Sequence, residues 1–302
     1  MSSLIEKLTT DSLVQISGLL TQEIPTSALY VVGLPIGNLG DITLRALWIL
    51  SKVDAIAAED TRETKKLLEK YGIDTKLLSV REHNEHSGAE QIINFLSQGC
   101  RVALVTDAGT PAVSDPGAKA VKLVQQAGYR VVPIPGASAV VTALSASGVE
   151  SIGFSFVGFL PPQSKARVET LKRWLSHTEA FVLYEAPHRL DKLLADLVTY
   201  IEPDREVVIA RELTKKFEEL VYLKGSTLQE WANNQTPKGE YAIIVGPRQE
   251  EKHSELTDEQ KRWLEQLVEL VPASKLAAVA AKVTGIDRSS IYQYLMDSKE
   301  PV

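Results

Sequence analysis

Cysteine is nearly absent from this chain. Cys100 stands alone, so no internal disulfide can form and no cysteine-rich metal site can be built. Its place between Gly99 and Arg101, just ahead of an apolar run, is that of a strand-entry residue rather than a nucleophile. Long hydrophobic runs are missing too. Nowhere do eighteen apolar residues follow one another, so no membrane span is expected. The first 26 residues carry Glu6, Asp11 and Glu23 among leucines and lack a basic start followed by an apolar stretch. They do not read as a secretory signal but as a short extra segment with one helix, and a cytoplasmic, soluble protein is expected. Positive charge is in short supply: 33 Lys and Arg against 39 Asp and Glu leave a net charge of −6. Any contact with a polyanion must therefore rest on a local basic patch. Neither a glycine-rich dinucleotide fingerprint, a phosphate-binding P-loop nor a nucleophile elbow occurs. His83 and His86 lack a clear third ligand, so no metal site is expected.

What is there reads as an α/β protein. At 302 residues the chain is long enough for about two domains. Apolar runs at Leu29–Val32, Val53–Ala58, Lys76–Val80, Arg101–Val105 and Arg130–Ile134 alternate with helical patterns of about ten to fifteen residues. That alternation predicts βαβ units and a largely parallel sheet. One helix is expected to open at Asp41 as N-cap, and another to run over 90–98. The loop-rich segments at 33–38, 59–62, 83–86, 106–111 and 135–139 all follow strands, so they can share one rim at the carboxyl ends of the sheet. Residues 151–162 read as a lobe junction. Beyond it, strand-like runs at 180–184, 206–210, 219–223 and 241–245 alternate with helices near 165–176, 188–200 and 226–234, which predicts a second, mixed sheet. Residues 248–258 form a charged linker. Helices at 259–270, 274–284 and 289–296, broken at Gly285, give a helix-turn-helix pattern. The divisions expected are a 1–27 extension, an N-terminal lobe over 28–150, a second lobe over 151–248, and a linker with a small helical domain over 249–302.

Several loops have a chemistry of their own, each with a plain alternative. Asp107-Ala108-Gly109-Thr110-Pro111, with Asp115-Pro116-Gly117 behind it, offers a carboxylate, a hydroxyl and close backbone approach, or else is a pair of structural turns. Pro135-Gly136-Ala137-Ser138-Ala139 leads into a helix whose free N–H groups can hold an anion, or else packs helix on sheet. Glu59-Asp60-Thr61-Arg62 is a reactive cluster or an acidic first helical turn. Lys165, Arg167, Lys172 and Arg173 against Glu169 make a basic segment, either a nucleic-acid contact or a solvated helix face.

Taken in order, these segments resemble one family. Leu34-Pro35-Ile36-Gly37-Asn38-Leu39 with Asp41-Ile42-Thr43 is similar to the opening signature of the bacterial small-subunit rRNA cytidine 2′-O-methyltransferases, within the tetrapyrrole methylase superfamily. The likeness continues through Ala57–Arg62, His83-Asn84-Glu85, Thr106–Pro111, Ser114–Gly117, Pro135–Ala139, Gly158–Pro161, Tyr184–Arg189, Ala210–Lys215 and Lys238-Gly239-Glu240. Leu34, Thr106 and Ala137 stand where threonine, serine and proline are usual, and the helical tail resembles the family's small terminal domain. The resemblance implies two α/β lobes of the tetrapyrrole methylase type, with S-adenosylmethionine folded in the cleft between them. It implies a pocket built from Leu34, Pro35, Asp107, Gly109, Thr110, Ser138, Ala139, Tyr184, Leu213, Gly239 and Ala242. It also implies a homodimer acting on a decoding-site cytidine of 16S rRNA in assembled 30S small subunits. Glu59, Asp60, Arg62 and Asn84 are the residues expected to face the ribose, and Glu59, Asp60, His83, Glu185 and Glu212 are the candidates for a base. Arg62, Arg189, Arg211 and Lys215 are candidates for the phosphates. Two rivals stand beside this reading: a C-methyltransferase acting on a corrin precursor, and a non-enzymatic ribosome-assembly factor.

Overall fold

The computed structural model describes residues 18–248 and 256–298. The helix expected within the first 26 residues falls largely outside them, as do 249–255 of the charged linker and Lys299 and Glu300 of the tail. The chain forms two units, Met1–Arg248 and Gln249–Val302.

The first unit begins with a parallel sheet of five strands: β1 (Ala28–Val32), β2 (Ala55–Ala58), β3 (Leu77–Ser79), β4 (Arg101–Val105) and β5 (Arg130–Ile134), in the order β3-β2-β4-β1-β5. Both faces are covered, which is why the strands read as apolar runs rather than alternations. Tyr30, Val32, Ala103 and Val105 pack toward the helix Leu44–Lys52 (α1) and Leu68 of Thr61–Lys70 (α2). Leu29, Val102 and Leu104 point the other way, onto Glu85–Ser97 (α3) and Ala118–Gln126 (α4).

Two helix starts differ from expectation. Thr43, not Asp41, caps α1, because its hydroxyl accepts from the Ala46 N–H at 3.0 Å, while Asp41 closes a short 3-10 turn. Helix α3 opens at Glu85 rather than Glu90. Gly88 reads as a breaker but is a packing residue: a Cβ there would lie 2.8 Å from Val80 Cγ2.

The second sheet is mixed, in the order β6-β7-β10-β8-β9. Its strands are β6 (Phe154–Phe159), β7 (Ala180–Glu185), β8 (Glu206–Arg211), β9 (Glu219–Lys224) and β10 (Tyr241–Val245). Strand β6 runs parallel to β7 and the other pairs are antiparallel. Strand β6 lies where a lobe junction was expected. It is an edge strand with Phe154 and Phe159 exposed and a register shift between Phe156 and Gly158, so no clean alternation marks it. One face of this sheet carries the main core against the helices Ser164–Leu175 (α6), Pro187–Tyr200 (α7) and Gly225–Asn233 (α8). The other face receives the helix Ala139–Ser147 (α5), whose Val140 and Ala143 pack on Val182, Val208, Ala242 and Ile244. Since α5 follows β5 directly, it joins the two sheets.

In the second unit the helices Asp258–Leu267 (α9), Ala273–Thr284 (α10) and Arg288–Asp297 (α11) enclose their own core of Leu264, Leu276, Ala277, Ile286, Ile291 and Leu295. Gly285 takes the left-handed conformation that ends α10, and Asp287 caps α11 by accepting from the Ser290 N–H at 3.1 Å. No helix among the described residues is long and apolar enough to cross a membrane.

Candidate active site

The loops after β1, β4 and β5 meet because their strands are neighbours in the first sheet. The Leu34 N–H donates to the Gly109 carbonyl at 2.8 Å, and Leu34 and Gly109 form an isolated bridge. The Thr110 hydroxyl donates to the Ala137 carbonyl at 3.4 Å. Gly33 and Gly136 touch backbone to backbone: a Cβ on Gly136 would lie 2.6 Å from the Gly33 carbonyl. Only glycine fits at either position. Against this rim stand the ends of β6, β7, β8 and β10. Between them lies a cavity of about 370 Å³, within the size range of small-ligand sites.

Seven of the eleven expected pocket residues line this cavity: Gly109, Thr110, Ser138, Ala139, Tyr184, Leu213 and Ala242. The other four stand behind or beside the lining. The Leu34 side chain is buried in the first lobe's core and Pro35 is buried next to it. Asp107 borders an adjoining shallow groove with Leu34 and accepts from the Asp60 N–H at 3.1 Å. Gly239 holds φ +80 beneath Glu212, where a Cβ would meet Glu212 Cδ.

None of Glu59, Asp60, Arg62 and Asn84 lines the cavity. Asp60 caps α2, accepting from the Arg62 N–H at 2.8 Å, and pairs with Arg62 Nη2 at 2.6 Å. The Arg62 side-chain hydrogen bond holds the Asp60 carboxyl well below the usual carboxylate range. The Asn84 side chain accepts from the Arg81 N–H at 2.6 Å and closes its own turn. Glu59 lies close enough to Asp115 for its charge to act there.

Strand parity decides the role of Glu185. Tyr184 points to the cavity face, among Val140, Phe156 and Leu213. The Glu185 side chain points to the opposite, helix-covered face, where its Oε1 accepts from the Ala186 N–H at 3.0 Å and pairs with Arg189 Nε at 3.1 Å. Burial raises its pKa; the side chain is fully buried, so it presents no surface to the cavity, and Oε2 has no hydrogen-bond partner among the described residues. Glu212 is likewise committed. It accepts from Lys215 Nζ at 2.8 Å and the Glu240 N–H at 3.0 Å, and the Lys215 hydrogen bond lowers its pKa. Glu212 and Thr214 both hold positive φ, at 49° and 67°, so the segment that presents Leu213 to the cavity is strained.

Sequence reading passed over Ile36, Val113, Asp115, Phe159, Ala210 and Glu240, which also line the cavity. Asp115 had a signal, an acidic residue ahead of Pro116-Gly117 in a loop that follows a strand, but the plain turn explained it equally well. Burial pushes the Asp115 carboxyl up to about 6, and the negative charges of Glu59 and Asp107 add to this. Burial also pushes the Tyr184 hydroxyl up to about 12, against the Val140 backbone N–H and with the charges of Asp115 and Glu240. The Tyr184 ring is flanked edge-on by Phe156 and Phe159, with centroids 4.8 and 5.8 Å away.

The basic segment on α6 is smaller than expected. Arg167 is buried and its Nε pairs with Asp196 at 2.6 Å, and Lys172 lies over the Tyr200 ring at 4.1 Å. Lys165, Lys172 and Arg173 are all exposed, and of these only Lys172 is engaged, by Tyr200, among the described residues.

Known proteins resemble the chain at two levels. Residues 28–229 match the family described as Tetrapyrrole (Corrin/Porphyrin) Methylases, and 254–299 match the RsmI C-terminal HTH domain. The ribosomal RNA small subunit methyltransferase I of Neisseria meningitidis serogroup B is 46% identical over 276 residues, covering 90% of this chain and 94% of that protein. The protein of the same name from Bacillus subtilis strain 168 is 46% identical over 239 residues, 79% of this chain and 80% of its own length. Among solved structures, uroporphyrin-III C-methyltransferase from Thermus thermophilus complexed with S-adenyl homocysteine aligns with a TM-score of 0.52 at 17% identity, over 72% of this chain and 97% of its own. A crystal structure of diphthine synthase gives a TM-score of 0.57 at 16% identity, over 73% of this chain and 90% of its own. At such identities the two structures speak for the fold alone.

Proposed function

The chain belongs to the tetrapyrrole (corrin/porphyrin) methylase family and is an S-adenosylmethionine-dependent methyltransferase, and from that premise we propose that it methylates the ribose 2′-hydroxyl of a decoding-site cytidine in 16S rRNA of the small ribosomal subunit. One observation carries the proposal: 46% identity to a ribosomal RNA small subunit methyltransferase over nine-tenths of both chains. The match of 254–299 to that family's C-terminal domain adds a segment that methylation of a small corrin precursor would not need. In this reading the protein works in the cytoplasm as a homodimer on assembled 30S subunits.

The cavity fits the cofactor. Its walls are small or apolar at Ala108, Gly109, Ala139, Ala186, Ala210 and Ala242, and the Gly33–Gly136 contact keeps the rim thin. Its lining carries no Lys or Arg among the described residues, and Glu240 offers a carboxylate, which suits a ligand carrying sulfonium and ammonium charge. When bound, S-adenosylmethionine supplies a methyl group on a sulfonium leaving group. The protein's part is then largely positioning. Gly109, Thr110, Ser138, Ala139, Tyr184, Leu213 and Ala242 hold the ligand, and Leu34, Pro35 and Gly239 shape the wall behind it. Asp107 and the Glu59–Arg62 turn border the side from which a ribose approaches, with Asn84 fixing the turn before α3. Lys165 and Arg173 are the cations of α6 left for phosphate contact.

A labelled-methyl transfer assay on purified small subunits, naked 16S rRNA and a corrin precursor tests the reading. Label in the small-subunit rRNA at a ribose is the expected result. Label in the corrin precursor alone points to the rival enzyme, and cofactor binding without transfer to any of the three points to an assembly factor.

A further inference from the structure

A ribose hydroxyl attacks a methyl group efficiently only if a base takes its proton. The cavity wall presents three acidic residues, Asp115, Glu185 and Glu240. The Glu185 side chain is fully buried, with Oε1 tied to Arg189 Nε and Oε2 without a hydrogen-bond partner among the described residues, so it presents no surface to a ligand in the cavity. Glu240 is tied to Lys215 Nζ at 2.7 Å. Asp115 has neither a hydrogen bond nor an ion pair to its carboxylate among the described residues. It is half-buried on the cavity, and its charge is felt by the Tyr184 hydroxyl across it.

The segment around Asp115 is held in a conformation the chain would not choose freely. Ala112 and Ser114 hold φ of 68° and 62° on either side of Val113. Non-glycine residues in that region mark a strained turn. The turn closes through the Ala112 N–H to the Pro116 carbonyl at 3.2 Å and the Val113 N–H to the Thr110 carbonyl at 3.3 Å. Its far end is clamped by the buried Glu85 carboxylate. One oxygen, Oε1, accepts from the N–H groups of Gly117, Lys119 and Ala120 at 2.9, 2.8 and 3.2 Å. An anion is thus spent on fixing this turn to α3.

We propose that Asp115 is the general base. Its carboxylate takes the proton of the attacking hydroxyl as the oxygen–methyl bond forms and the methyl–sulfur bond breaks, the electron pair of that bond staying on sulfur. The sulfonium charge disappears, the carboxylate becomes a neutral acid, and the proton passes to water after product leaves. Glu85 acts as a positioning residue through the turn. The titratable groups facing Asp115 are Glu59 after β2, Asp107 after β4 and Tyr184 on β7. None brings a positive charge; burial, with the negative charges of Glu59 and Asp107 added, raises its carboxyl to about 6, close to where a base works best. A cationic cofactor beside it lowers that value.

This role rests on the methyl-transfer reading above. The test compares wild type and D115N in methyl transfer to small subunits across about pH 5 to 9, together with calorimetric binding of S-adenosylhomocysteine. Turnover of D115N is expected to fall about 10²–10⁴-fold, with S-adenosylhomocysteine affinity within about threefold of wild type. The wild-type rate rises with pH through an acid limb at or below about 6, which D115N lacks. A D115N enzyme that keeps its rate or its acid limb overturns the role, as does one that loses S-adenosylhomocysteine binding, which makes Asp115 a cofactor ligand. No transfer by wild type overturns the substrate reading and the role with it. Transfer by both proteins at equal rates overturns the role alone.

Discussion

Asp115→Asn is expected to make the protein more stable at neutral pH. The carboxyl titrates at about 4 in an unfolded chain and at about 6 in the fold. Each pH unit of that difference is about 1.36 kcal/mol, so ionised Asp115 costs the folded state about 3 kcal/mol at most. Solvent reaches part of the side chain, which brings the cost down to about 1–2 kcal/mol. The sign follows from which state holds the proton. The fold keeps it up to about pH 6 and the unfolded chain releases it at about pH 4, so stability is full below about pH 4 and is lost as pH rises through the folded value. Asparagine does not titrate, so the variant escapes this loss. Thermal unfolding at pH 8 should show D115N melting about 2–8 °C above wild type, and at about pH 4 the gap should shrink toward zero. A gap of equal size at both pH values refutes the electrostatic reasoning, since a packing effect would not titrate.

Three other outcomes follow from contacts elsewhere. Gly136→Ala places a methyl 2.6 Å from the Gly33 carbonyl; it should destabilise the first unit by about 1–3 kcal/mol and weaken S-adenosylhomocysteine binding, read by urea unfolding and calorimetry. Arg167→Ala removes one half of the Asp196 pair and should cost about 3–5 kcal/mol by urea unfolding. Its affinity for small subunits should stay unchanged, whereas Lys165→Ala with Arg173→Ala should weaken that affinity and flatten its salt dependence in a binding titration. Glu85→Ala strands three N–H groups at the start of α4. It should cost about 2–4 kcal/mol, with transfer falling while S-adenosylhomocysteine still binds.

The first lobe was readable because a sheet covered on both faces leaves uninterrupted apolar runs, and because Gly72, Gly99 and Gly128 stop three of its helices at left-handed φ. Strand β6 escaped because it is an edge whose Phe154 and Phe159 are exposed and whose Gly158 holds φ +72. In the candidate site, loop residues such as Gly109, Thr110, Ser138 and Ala139 were found through their order along the chain. Side-chain direction was not legible. Tyr184 and Glu185 are neighbours in sequence, and only the pairing of β7 with β10 decides which faces the cavity. Nor does any local pattern reveal that Arg167 meets Asp196, or that Glu85 reaches the amides at 117–120. Such pairings join residues about thirty positions apart and belong to the tertiary structure.

Helix α5 has a consequence for anyone recombining this fold. Its first residues, Ser138 and Ala139, form cavity wall beside the rim of the first sheet, while Val140 and Ala143 are seated in the second. A chimera cut at the end of α5 would carry away a helix that the receiving sheet needs and expose the face of Val182, Val208 and Ile244. The transferable module is therefore the second sheet with α5 attached, and its seam falls in the Pro135–Ala137 turn. Exchanging substrate specificity between relatives by swapping lobes should work at that seam and fail about ten residues later, where the chain looks most like a boundary.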